Sequence, residues 1–128
     1  MGYIRHNAII VTDWDINRVK IAHTKAREIF ETLRSKEFEV SANIVSEIVR
    51  GITNGQASFF IAPDGSKEGW PHSDNADKAR GEFLDWLKES HQYCDYVEIR
   101  FGGDTDGAVI VRDEDSDLDE KEVQEPLT

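Results

Sequence analysis

The order of hydrophobic patterns along the 128 residues predicts an α+β fold, an antiparallel sheet covered on one face by two helices. Three observations carry this expectation. The chain opens on an Ile/Val-rich run, two amphipathic segments of helical period stand well apart, and short apolar runs bounded by turn residues fill the gaps. The resulting order is strand, helix, strand, strand, helix, strand.

The first strand spans Ile4 to Thr12, and its unbroken run Ala8, Ile9, Ile10, Val11 predicts a central position buried on both faces. It ends at Asp13-Trp14-Asp15, where either aspartate can accept hydrogen bonds from the unpaired amides of a following helix. From Ile16 to about Lys36, Val19, Ala22, Ala26, Ile29, Phe30 and Leu33 recur at steps of three and four, the apolar stripe of an amphipathic helix. A second β region is expected over Phe38 to Ile52, centred on Ile44 to Val49. Thr53-Asn54-Gly55-Gln56 then places Asn-Gly between two apolar runs, which predicts a two-residue hairpin turn, and Ala57 to Ala62 is the returning strand. Pro63-Asp64-Gly65 stops it.

The second helix is expected to begin near Ser73 to Asn75 and to reach Ser90, with Ala76, Ala79, Phe83, Trp86 and Leu87 on one face. Tyr96 to Phe101 reads as a strand, Gly102 to Gly107 as a turn, and Ala108 to Arg112 as an extra C-terminal strand pairing back. Without that addition the order is that of a ferredoxin-like βαββαβ sandwich. Residues 1–112 are expected to form a single domain, and 113–128 an acidic disordered tail. The second face of the sheet is then either solvated or covered by another copy, as in a homodimer.

The formal charge of −11 is unevenly spread. From Asp104 onward ten acids face only Arg112 and Lys121, a net of −8, whereas Met1 to Gly103 carries −3. Such a field repels phosphate backbones and anionic lipid, so neither direct nucleic-acid binding nor membrane association is expected. No run is apolar enough for a membrane span or a signal peptide, which predicts a cytoplasmic protein. A single cysteine, Cys94, excludes an internal disulfide, and four histidines without a recurring ligand spacing give no metal site. No cofactor motif and no nucleophile signature is present, so no catalytic residue is named and a non-enzymatic role is favoured.

Binding chemistry concentrates in Gly65-Ser66-Lys67-Glu68-Gly69-Trp70-Pro71-His72. Glycines let a backbone approach a ligand, Lys67 offers an ammonium, Trp70 a ring face and His72 an imidazole. The helix start beside them favours an anion. Arg80, one to two turns into the helix, and Arg5 with His6 at the start of the first strand complete an expected site for an anionic ligand with a flat ring. The same residues fit a plainer role, with Trp70 folded back over the core and Lys67 in solvent. His23 and His91 read as surface residues.

Three segments, MGYIRHNAIIVT, SFFIAPDGSKEGWPHSDNADKAR and YVEIRFGGD, resemble a family of small tailed-phage proteins over most of the first 104 residues. PDGSKEGW is the most specific part. In that family an aromatic residue follows the Asn-Gly turn, where this chain has Gln56. The resemblance implies a phage accessory gene acting in the host cytoplasm against a host system, and it brings no catalytic residues. The expected function is a binding protein that sequesters a nucleotide-like anion. One alternative is a protein inhibitor whose acidic tail imitates nucleic acid toward a host enzyme. Another is a small enzyme acting on a phosphorylated metabolite, with His6 or His72 as acid or base.

Overall fold

A computed structural model describes residues 6–32, 42–65, 71–90, 94–102 and 107–114, with the side chain of His72 excepted. Expectations for Ile4, Arg5, Leu33 to Lys36, Phe38 to Ser41, Lys67, Trp70, the imidazole of His72, His91, the turn residues 103–106 and the tail beyond Glu114 lie outside these residues.

Five strands form one sheet that is antiparallel throughout: β1 (His6–Asp13), β2 (Val49–Arg50), β3 (Ala57–Ile61), β4 (Asp95–Phe101) and β5 (Val109–Asp113). Their order is β2-β3-β1-β4-β5. This fits a ferredoxin-like α+β arrangement, but it is not the four-stranded order of that sandwich, because β5 adds a strand at the β4 edge. Helices α1 (Ile16–Thr32) and α2 (Pro71–Glu89) connect β1 to the β2-β3 hairpin and β3 to β4. Among the described residues no helix is long and apolar enough to cross a membrane.

The helices bury one face of the sheet. Ile9 and Val11 of β1, Phe59 and Ile61 of β3 and Tyr96 of β4 point into a core shared with Val19, Ala26 and Phe30 of α1 and Ala79, Phe83 and Leu84 of α2. Alternation puts their neighbours on the other face, so one register decides both surfaces. Ile9 stands between Ile61 and Glu98, and Ile10 between Phe60 and Val97. On that second face the hydroxyls of Thr12 and Ser58 meet at 2.8 Å across the same pair of strands.

Local chemistry sets the element ends. Asp15 caps α1 by accepting from the Asn17 amide at 2.9 Å, while Asp13 accepts from the Asp15 amide at 2.9 Å and pairs with Arg18 at 3.2 Å. The Asn-Gly turn forms, with φ of 62° at Asn54 and 65° at Gly55 and the Gln56 amide donating to the Thr53 carbonyl at 3.2 Å, but Arg50 stands opposite Ala57 and the Gly51 amide donates to the Gln56 carbonyl, so the hairpin loop is the four residues 52–55 and not the two expected. Helix α2 starts at Pro71 rather than among Ser73 to Asn75, since proline at the first helical position has the right φ and lacks only a donor that would be unpaired there anyway.

Two expectations are corrected. Among its described residues, the second β region contains only the two residues of β2, preceded by a single 3-10 turn at Ala42–Ile44 and an isolated bridge from Val45 to Ile61. Ser46 explains the interruption: its amide donates to the Phe60 carbonyl at 2.8 Å and its hydroxyl accepts from the Phe60 amide at 2.9 Å, so a side chain replaces the next rung of the ladder. At the other edge β5 reaches Asp113, which stands opposite Val97, so the sheet extends one residue past the expected domain end. A bulge between Glu98 and Ile99 leaves Val111 unmatched.

Phe83 is fully buried, and Phe83→Ala is expected to cost about 3 to 5 kcal/mol through lost burial and a residual cavity. The control Ile52→Ala, at a fully exposed position, should stay within about 0.5 kcal/mol. Urea denaturation of the two variants measures the difference.

Candidate functional site

Arg80 is not free to meet a ligand from solvent. It is 2% exposed, and its guanidinium lies among three carboxylates. Nε is 3.4 Å from Glu98 of β4, Nη1 is 3.6 Å from Asp64 in the segment leaving β3, and Nη2 bonds Asp77 one turn earlier on α2. Asn7 of β1 donates to the same Glu98 oxygen at 3.0 Å. The positive charge that the sequence offered to an anion is therefore neutralised inside the protein, at the junction of β1, β3, α2 and β4.

His6 lies elsewhere. As the first described residue of β1 it stands on the face away from the helices, opposite Phe101, with ring centroids 5.3 Å apart. Gly102 closes this end: its φ is +86°, and a Cβ there would come within 2.6 Å of the imidazole. The antiparallel register brings the chain out of β3 at the same end of the sheet, because Ile61 is opposite Ile9 and the segment 62–65 runs on toward the His6 end of β1. Topology thus puts His6 at the end of the sheet where the described segment 62–65 leaves β3, while Arg80 is excluded from that surface.

The open face of the sheet, expected from the sequence to be solvated or covered by another copy, was not among the predicted ligand-binding positions apart from His6 at its end. Ile10, Val49, Phe60, Phe101 and Ile110 remain 39 to 65% exposed there, beside Ala8 and Ile99. Between them lies an open cavity of about 650 Å³, walled on the β2 side by Ser46, Glu47 and Val49 and on the other by Ile99 and Phe101. Among the described residues of its lining, Glu47 alone is charged. The signal for this surface was present in the run Ala8 to Val11, which predicted burial on both faces although only one face has helices to cover it.

A smaller groove of about 360 Å³ runs between the helices, where Lys20 and Lys25 flank Trp86. It repeats the pairing of ammonium and indole expected of Lys67 and Trp70, but the Lys25 charge is shared with Glu28 at 3.3 Å. His23 is also more than a surface residue. It donates from Nε2 to the Ser46 carbonyl at 2.8 Å and packs edge-on against Phe59 at 5.1 Å, so it braces the wall of the sheet cavity from behind. Among the described residues no three His, Cys, Asp or Glu side chains converge as a metal ligand set. Cys94 is buried, and that burial, with the Asp13 carboxylate next, pushes its thiol up to about 11.

Replacing Arg80 by Met should destabilise the fold by about 3 to 5 kcal/mol, because the buried Glu98 carboxylate loses the guanidinium that faces it. Chemical denaturation reads this directly. For Cys94, iodoacetamide should label the native protein far more slowly than the urea-unfolded chain at neutral pH. A thiol whose folded pKa is raised contributes stability below its ordinary value of 9.0 and loses it as pH climbs toward about 11, so denaturation midpoints should fall across that interval in the wild type and less in Cys94→Ala.

No protein family model, curated protein or solved structure matches this chain, and the assignment of a site rests on the geometry of the open sheet face.

Proposed function

We propose that this is a phage accessory binding protein that counteracts a host system by holding a flat-ringed, nucleotide-like ligand against the open face of its sheet. The single observation behind the reading is the 650 Å³ cavity over Ile10, Phe60, Ile99 and Phe101, a size and lining that suit a small molecule with a planar apolar body. Aromatic side chains offer ring faces to such a body. Polarity orients the ligand. Glu47 repels a negative group from the β2 side, so the anionic end points toward His6 and the end of the sheet at which the chain leaves β3; Lys67, Trp70 and His72, the residues expected to bind an anion, come next in the sequence. The phage setting and the host target come from the resemblance of the three sequence segments.

The concentration of acid after Asp104 favours one other reading, an inhibitor whose tail occupies a basic groove on a host enzyme. One experiment separates the two. In a thermal-shift panel of nucleotides and cyclic nucleotides, at least one compound should raise the melting temperature by several degrees, as expected for ligand well above its Kd. That gain should vanish in Phe60→Asp and persist when residues 115–128 are deleted. If every compound leaves the melting temperature unchanged, the ligand reading falls.

A further inference from the structure

We infer that two copies of this chain pack open face to open face, so that each sheet roofs the cavity of the other. The inference rests on the reading of that face as the ligand site and names what completes it. The cavity has a floor of strands and walls at its edges, but it opens to solvent above Ile10 and Phe60.

Area argues for a second copy. The exposed parts of Ile10, Val49, Phe60, Phe101 and Ile110 amount to roughly 500 Å². A face-to-face pair therefore withdraws on the order of 1,000 Å² in total, where specific interfaces begin. Charge argues the same way. In a chain that is 32% charged, the central outward positions of the sheet are Val49, Ser58, Phe60, Ala8, Ile10, Thr12, with Val97 and Ile99 beside them, and none is an acid or a base. Asp95 and Asp113 stand at one end, opposite Thr12 and Val97, and Glu47 at the β2 side, so the carboxylates form a rim. Apolar sheet faces commonly stack on one another in proteins. The chain's own remaining segment is a poor substitute, since Leu118, Val123 and Leu127 are scattered among acids.

The test is the mass of the full chain in solution, by sedimentation or light scattering, with and without added salt. Twice the 14.6 kDa chain mass is expected, with tighter association as salt screens the −11 charge on each copy. Phe60→Lys and Ile110→Lys should give monomers with an unchanged circular dichroism spectrum, while Ile21→Lys, exposed on α1, should remain dimeric. A monomer at all salt concentrations overturns the inference, and so does a dimer that survives both sheet-face substitutions, which would place the contact at the β2 or β5 edge. The two readings fail separately. Nucleotide stabilisation of a strictly monomeric chain removes the dimer alone, and a sheet-face dimer that no nucleotide stabilises removes the ligand alone.

Discussion

The buried guanidinium of Arg80 is the constraint on which the arrangement of the other elements depends. It joins Asp64 after β3, Asp77 on α2 and Glu98 on β4, and through Glu98 it reaches Asn7 on β1. Burying a charge costs several kcal/mol, and the ion pairs offset that cost only when every partner is in place. A cluster of this kind contributes little net stability. Its effect is on specificity, since a shifted α2 or a slipped β4 would part the buried guanidinium from the buried Glu98 carboxylate. The place where the chain leaves β3 is fixed in the same way, and with it the end of the sheet that carries His6.

Around this junction the sheet is chemically two-faced. One face meets both helices and forms the core from Ile9, Val11, Phe59, Ile61 and Tyr96. The other is apolar as well, although neither α1 nor α2 lies on it. Antiparallel sheets with one solvated face normally alternate apolar with polar residues. Here Ile10, Phe60, Ile99 and Ile110 occupy positions that water alone would fill with polar side chains. The cavity, the exposed aromatic rings and the absence of central charge are aspects of this one feature.

Charge reinforces the division of labour. Basic residues near the core are drawn into structural pairs, as Arg18 is with Asp13, Arg80 with its three carboxylates and Arg112 with Asp85. Excess acid is concentrated in the C-terminal sequence, which carries −8 of the net −11 from Asp104 onward. The open face thus lies in a negative field without carrying charge at its centre, a combination that suits contact through rings and aliphatic side chains.

Most of the secondary structure was legible in the sequence because it follows from local rules. The period of α1, the cap at Asp15, the Asn54-Gly55 turn and the strands around Ile9, Phe59 and Ile99 are each decided by residues within a few positions. The short β2 was not legible, since Ser46 replaces a ladder rung only because Phe60 stands beside it. Nor was the fate of Arg80 or of His23, whose partners come from segments distant in sequence. The amino-acid sequence by itself determined which residues alternate and where the chain turns. Tertiary structure alone decided which apolar face the helices cover and which guanidinium is neutralised, because burial and ion pairing depend on groups that only the fold brings within a few ångströms.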